Sequence, residues 1–194
     1  MSNKGFLLVL MQPPPAFEDE FNAWYDTEHV PERVAVPGFL SGRRYVCIDG
    51  HPKYLAMYDM AEAAVLETEG YRRVSGDRAS PWTKRVTSRV KVYRSAGEQI
   101  FPGDQVTIPC ARATLLRFRG LPPSAADAVV AGLRANFEGL ADTVQLRVFA
   151  HPVDDAVDFL GLVASRADAG RPLDMAAFGE AAAALDLLNR YAPY

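Results

Sequence analysis

Apolar and polar positions change period along this chain, and they do so twice in the same order. Phe6 to Met11 is an unbroken apolar run that predicts a central strand, closed by Pro13, Pro14 and Pro15. Phe17, Phe21 and Trp24 then recur at i, i+4 and i+7, the stripe of an amphipathic helix starting near Ala16. Glu18, Asp19 and Glu20 sit where the helix field favours acids. Pro31 lacks an amide hydrogen and predicts an end or a kink there. After the Pro37-Gly38 turn, Tyr45–Ile48 and Lys53–Met60 predict a hairpin around Asp49–Pro52. Ala61–Val74 predicts a helix, Ser75–Trp82 a polar irregular stretch, and Val86–Tyr93 a half-buried strand by its alternation.

The second half repeats this order. Ala111–Phe118 predicts a strand, Pro122-Pro123 a turn, and Ser124 a cap for a helix over Ala125–Phe137. Val144–Ala150 and Ala156–Ala164 predict two more strands. The alanine-rich stretch Leu173–Asn189 predicts a last helix, leaving little or no chain for a fourth strand. The result is an α+β chain of two tandem ferredoxin-like units, residues 1–97 and 110–194, joined by a connector over 98–109. One ferredoxin-like sheet covers only one of its faces. Two in a single chain bury the open faces against each other, which predicts a pseudo-dimeric α+β barrel; the alternative is two sheets side by side with no shared interior.

Composition narrows the function classes. A formal charge of -3 and no basic stripe argue against a nucleic-acid partner. The N-terminal apolar run is too short for a signal peptide, and no apolar span approaches transmembrane length, so the expectation is a cytoplasmic protein with no membrane partner. Cys47 and Cys110 each lie in apolar strand-like runs and read as reduced core thiols. Rossmann, P-loop and Cys-x-x-Cys motifs are absent, so no cofactor is expected.

Candidate chemistry concentrates between Trp24 and Tyr45. His29 titrates near neutrality in water and suits general acid–base work. Tyr25 lies one helical turn before it and Asp26 three residues before it, so Asp26 is placed to hold the His29 tautomer and Tyr25 to donate to an oxyanion. The plainer reading has His29 capping its own helix near Pro31. The acid and histidine spacing around Asp26, Glu28, His29 and Glu32 matches no strong metal pattern, and no metal is expected. Trp24, Trp82, Tyr54 and Tyr58 are candidate walls for a flat apolar ligand; Arg44 is a partner for an acidic ligand group or for Asp26 or Glu28. His51 and His151, each before a proline, read as turn residues.

Trp24-Tyr25-Asp26, Glu28-His29, Pro31, Pro37-Gly38-Phe39 and Arg44-Tyr45, followed by Ser80-Pro81-Trp82-Thr83 and Arg85, together resemble the EthD-like family of the dimeric α+β barrel superfamily. The resemblance covers about Phe6 to Tyr93. The second half shares only the element order; where the family places a histidine it has Ala135-Asn136-Phe137. The resemblance implies one site per chain, in the first half, and a hydrophobic small-molecule partner, in a monomer or a homodimer of fused pseudo-dimers. It implies a cofactor-free cyclase, decarboxylase or isomerase using a histidine base on an aromatic or polyketide-like carbonyl compound. The alternatives are a cofactor-independent monooxygenase on similar substrates and a non-catalytic binding or accessory protein.

Overall fold

The first strand, β1 (Gly5–Gln12), is apolar from Phe6 to Met11 because both of its faces are covered there. Phe6, Leu8 and Leu10 point one way, into a cluster with Leu55, Met57, Leu115, Phe149, Leu160 and Leu162. Leu7, Val9 and Met11 point the other way, into a cluster with Phe21, Trp24, Tyr58 and Val86. This computed structural model describes residues 3–168 and 172–194. In it β1 is joined by β2 (Phe39–Asp49), β3 (Tyr54–Met60), β4 (Lys91–Phe101), β5 (Arg112–Leu121), β6 (Thr143–Val153), β7 (Ala156–Ser165) and β8 (Leu185–Pro193). They close into an antiparallel barrel in the order β1-β3-β2-β8-β5-β7-β6-β4. The seams between the halves are β2 against β8 and β4 against β6. This is the α+β pseudo-dimeric barrel of two ferredoxin-like units that the repeat predicts. The cluster around Phe6 and Leu160 fills its interior. Among the described residues no helix is long and apolar enough to cross a membrane.

The structure departs from the sequence reading in five places. The second unit does have its fourth strand. Gly179, at φ 54°, breaks the alanine run, which forms a 3-10 stretch over Met175–Ala184. From Leu185 the chain is extended, with Asn189 and Tyr191 buried on one face. Helix propensity loses here because β8 pairs with both β2 and β5, closing edges that would otherwise be open. Second, the polar stretch before β4 ends in a helix, α4 (Pro81–Thr87); the Ser80 hydroxyl caps it by accepting from the Thr83 amide at 2.9 Å, and Pro81 starts it. Third, β4 therefore begins only at Lys91 and runs to Phe101, into the segment expected as connector. Fourth, Pro31 ends nothing. Helices α1 (Glu18–Trp24) and α2 (Val30–Val34) are continuous through a π turn over Tyr25–His29, and Pro31 follows directly on that turn without stopping the helix. The remaining predicted helix, over Ala61–Val74, is reduced to a 3-10 turn and the short α3 (Glu69–Arg72).

The helical layers of the two units are packed differently. In the second unit α5 (Ala126–Phe137) lies directly on the sheet. A β-carbon added at Gly132 would sit 2.2 Å from the Phe178 ring, and one at Gly161 of β7 would sit 2.4 Å from Leu133. That space is filled by side chains. Gly132→Ala tests the packing. Alanine should favour the helix by about 1 kcal/mol, but the overpacking should cost about 1–3 kcal/mol. The expected net result is a lowered urea midpoint; a raised one would mean that Phe178 yields freely.

Candidate active site

The first unit leaves space between its helices and its sheet. A cavity of 310 Å³ lies between the outward face of β1 and β4 and the helices that cover it. Leu7, Val9, Met11 and Val92 form its sheet wall, and Trp24, Tyr25, His29 and Arg33 come from the continuous α1–α2 helix. Thr83, Lys84 and Thr87 of α4 close the third side.

The π turn sets this geometry. Its wider i to i+5 pitch adds one residue to the helix and redirects the side chains around it. Trp24 and His29 end with ring centres 4.2 Å apart, and Tyr25 meets His29 edge-on at 5.2 Å. Trp24 is fully buried and its indole donates to Thr83 Oγ1 at 3.0 Å. Thr83 and Ser80 donate in turn to Glu28 Oε1 at 3.3 and 2.5 Å, which fastens α4 to the π turn.

Burial dominates the electrostatics. It lowers the His29 pKa to about 3, with the positive charges of Arg33 and Arg44 adding to the effect, so the imidazole is neutral across the ordinary pH range. Its Nδ1 is buried with no hydrogen-bond partner among the described residues. No carboxylate holds the ring, and a bound molecule would set its tautomer. Burial likewise raises the phenols of Tyr25 and Tyr58, which stay protonated as donors. Arg33, 4% exposed, donates to the Val74 carbonyl at 2.6 Å and to Glu32 at 3.3 Å, with Tyr71 stacked against it at 5.3 Å. Lys84 Nζ donates to the Asp77 carbonyl at 2.6 Å. Among the described residues no cluster of three His, Cys, Asp or Glu side chains stands ready for a metal ion.

The sequence-predicted residues divide. Trp24, Tyr25 and His29 meet in the cavity. Asp26 does not join them. It faces away, paired with Arg44, and lines a separate 620 Å³ cleft with Val30, Val34 and Tyr194. The reason is again the π turn, which rotates residue 26 off the face that carries residue 29. Arg44 also donates to Asn22 Oδ1 at 2.6 Å and lies over the rings of Tyr194 (4.0 Å) and Tyr25 (4.5 Å), so it clamps helix to C-terminus and stays outside the cavity. Tyr54 accepts from Asn22 at 3.0 Å and donates to Glu18, also outside. Tyr58 is buried behind Tyr25 with no well-formed hydrogen bond of its own. Trp82 is half-buried against the first-unit core and does not line the cavity. His51 Nδ1 is 3.4 Å from Gln12, and His151 Nδ1 is 2.7 Å from the Ala96 carbonyl oxygen. Arg33, Thr83, Lys84 and Arg94 were not legible as lining residues. Arg33 had a signal, one turn beyond His29; Thr83 and Lys84 depend on a helix the sequence did not reveal, and Arg94 lies on β4 just past the strand expected to end at Tyr93.

Solved structures share this whole architecture. An anthrone oxidase-like protein superposes with a TM-score of 0.71 at 12% identity, over 100% of this chain and 92% of that one. A candidate monooxygenase from Lactobacillus acidophilus NCFM gives 0.59 at 8% identity over 100% and 94%. A mutant chlorite dismutase from Candidatus Nitrospira defluvii gives 0.55 at 9% identity over 100% and 93%. No family model and no curated protein sequence matches the chain. These findings overturn the EthD-like assignment. The residues that suggested it, from Trp24-Tyr25-Asp26 to Ser80-Pro81-Trp82-Thr83, take up helix, turn and cap positions in this fold. At these identities the neighbours establish the fold alone, a closed barrel of two ferredoxin-like units.

Proposed function

We propose that this protein is a cofactor-independent oxygenase acting on a hydrophobic aromatic compound with an acidic proton, a phenol or an aryl ketone that enolises. The carrying observation is the first-unit cavity. It brings a neutral His29, a protonated Tyr25 and the buried Arg33 to one largely apolar cavity. The volume lies at the lower end of the range for ligand sites, enough for a flat molecule of two or three rings.

His29 takes the acidic proton of the substrate. Burial opposes the imidazolium in the empty cavity, but a substrate anion beside it offsets that cost. Tyr25 donates to the developing oxyanion, and Arg33 supplies fixed positive charge beside it. The electron-rich anion then passes an electron to dioxygen, and the radical pair combines to a peroxide. Loss of water leaves a new carbonyl. One oxygen atom enters the product, the other leaves as water, and no external reductant is needed. Support for oxygen chemistry over simple isomerisation comes from two of the structural neighbours, the anthrone oxidase-like protein and the candidate monooxygenase.

The test is oxygen consumption with a panel of anthrones and naphthols. One oxygen molecule taken up per quinone formed is the expected stoichiometry. Equal product under nitrogen would move the reading to a cofactor-free cyclase, decarboxylase or isomerase using the same histidine. No turnover at all, with ligands still binding, would leave the accessory-protein reading.

A further inference from the structure

The charges around the cavity are of one sign. Arg33, Lys84 and Arg94 line it, and among the described residues no carboxylate does. Of the acids close in the chain, Glu28 accepts from Ser80 and Thr83, Glu32 pairs with Arg33 itself, and Asp77 meets Lys84 through its backbone carbonyl. His29, being neutral, adds no charge of its own. The cations are also sorted by depth. Arg33 is buried beside the reacting end, whereas Lys84 and Arg94 are exposed and stand at the mouth with Thr87 and Val92. Lys84 is anchored on a backbone carbonyl and makes no ion pair among the described residues. The Arg94 guanidinium makes no ion pair among the described residues.

A substrate with a single acidic hydroxyl would need only the inner end. Two outward cations free of carboxylate partners serve a second negative group, at the far end of the molecule from the first. We infer that the substrate is an aromatic carboxylate, its phenol or enol oxygen at His29 and Tyr25 and its carboxylate at the mouth on Arg94 and Lys84. This rests on the reading of the cavity as a substrate site and deepens it. Arg94 is the better anchor, because a guanidinium meets a carboxylate with two parallel hydrogen bonds. A carboxylate at the mouth also fixes which way round a flat molecule enters, so the oxygen to be deprotonated is the one delivered to His29.

Calorimetric binding of 6-hydroxy-2-naphthoate and of its isosteric amide, 6-hydroxy-2-naphthamide, tests this. The two differ only in the charge at the far end. The acid is expected to bind the wild type about tenfold more tightly than the amide, an advantage that shrinks in high salt. Arg94→Gln and Lys84→Gln should each weaken the acid by about three- to tenfold and leave the amide unchanged. Both residues are exposed, so folding is preserved, and circular dichroism checks it. If acid and amide bind the wild type equally, or if both variants bind the acid as the wild type does, the inference is overturned while the cavity keeps its proposed role. If neither compound binds, the cavity is not a site for such molecules and both readings fall together.

Discussion

Asp59→Ala is expected to destabilise the protein by about 3–5 kcal/mol, read as a large drop in the urea midpoint. Asp59 lies on β3 of the first unit and Arg147 on β6 of the second, and they meet across the barrel interior at 2.6 Å, each 1% exposed. Asp59 also accepts from the Ser41 hydroxyl at 2.5 Å and the Thr107 amide at 2.8 Å, while Arg147 donates to Thr107 Oγ1 at 2.6 Å and lies over Phe149. The pair therefore ties both halves and the segment between β4 and β5 into one network. Removing the carboxylate leaves a guanidinium buried with no counter-charge, which accounts for most of the expected loss. The double variant Asp59→Leu with Arg147→Met removes both charges and should recover most of the stability. A single-variant cost below about 1 kcal/mol would mean that water reaches Arg147 and that the ion pair is not what holds the halves in register.

How much of this was readable in the chain depends on whether local or distant contacts decide each element. The barrel was readable, because apolar runs such as Phe6–Met11 and Ala156–Ala164 are long, strongly patterned and repeated in order. Helix α5 was readable for the same reason. β8 was not: local alanine propensity points to helix, and only β2 and β5, far away in sequence, make the strand preferable. Helix α4 left a signal in Ser80-Pro81, a cap followed by a first-turn proline, which the alternation from Val86 onward masked. Trp24, Tyr25 and His29 were readable as a group, but Asp26 was misplaced because a regular α-helix was assumed where the chain makes a π turn. Nothing in the pattern around Tyr25 to His29 announces that turn. The Asp59–Arg147 pair left a faint trace, an acid and a base each set inside an apolar strand run. Single charges at inward strand positions of two different units are a reason to look for a partner.

His29→Ala is expected to lower kcat/KM for the proposed oxygenation by about 10²- to 10⁴-fold, the range for losing a general base. It is also expected to leave the affinity for 6-hydroxy-2-naphthoate within a few-fold, since Arg33, Lys84 and Arg94 remain. The pH dependence separates this from a structural role. With its pKa at about 3 in the folded protein, His29 cannot produce an acid limb near pH 6.5 in the free-enzyme profile of kcat/KM; the wild-type profile should be flat there. A limb at that pH, lost in the variant, would show that the imidazole titrates in water and is not enclosed. Stability carries the same signature with a defined sign. Between about pH 6.5 and pH 3 the unfolded chain binds a proton at residue 29 and the folded chain does not, so acidification through that window favours unfolding. His29→Phe removes this contribution and keeps an aromatic ring against Trp24 and Tyr25. The difference in Tm between wild type and His29→Phe should therefore move toward the variant as pH falls from 7 to 4. The carboxylates, common to both proteins, cancel in that difference. A Tm difference that does not change with pH would mean that the folded protein protonates His29 as readily as the unfolded chain, and a histidine so exposed would not be the enclosed base that the oxygenation requires.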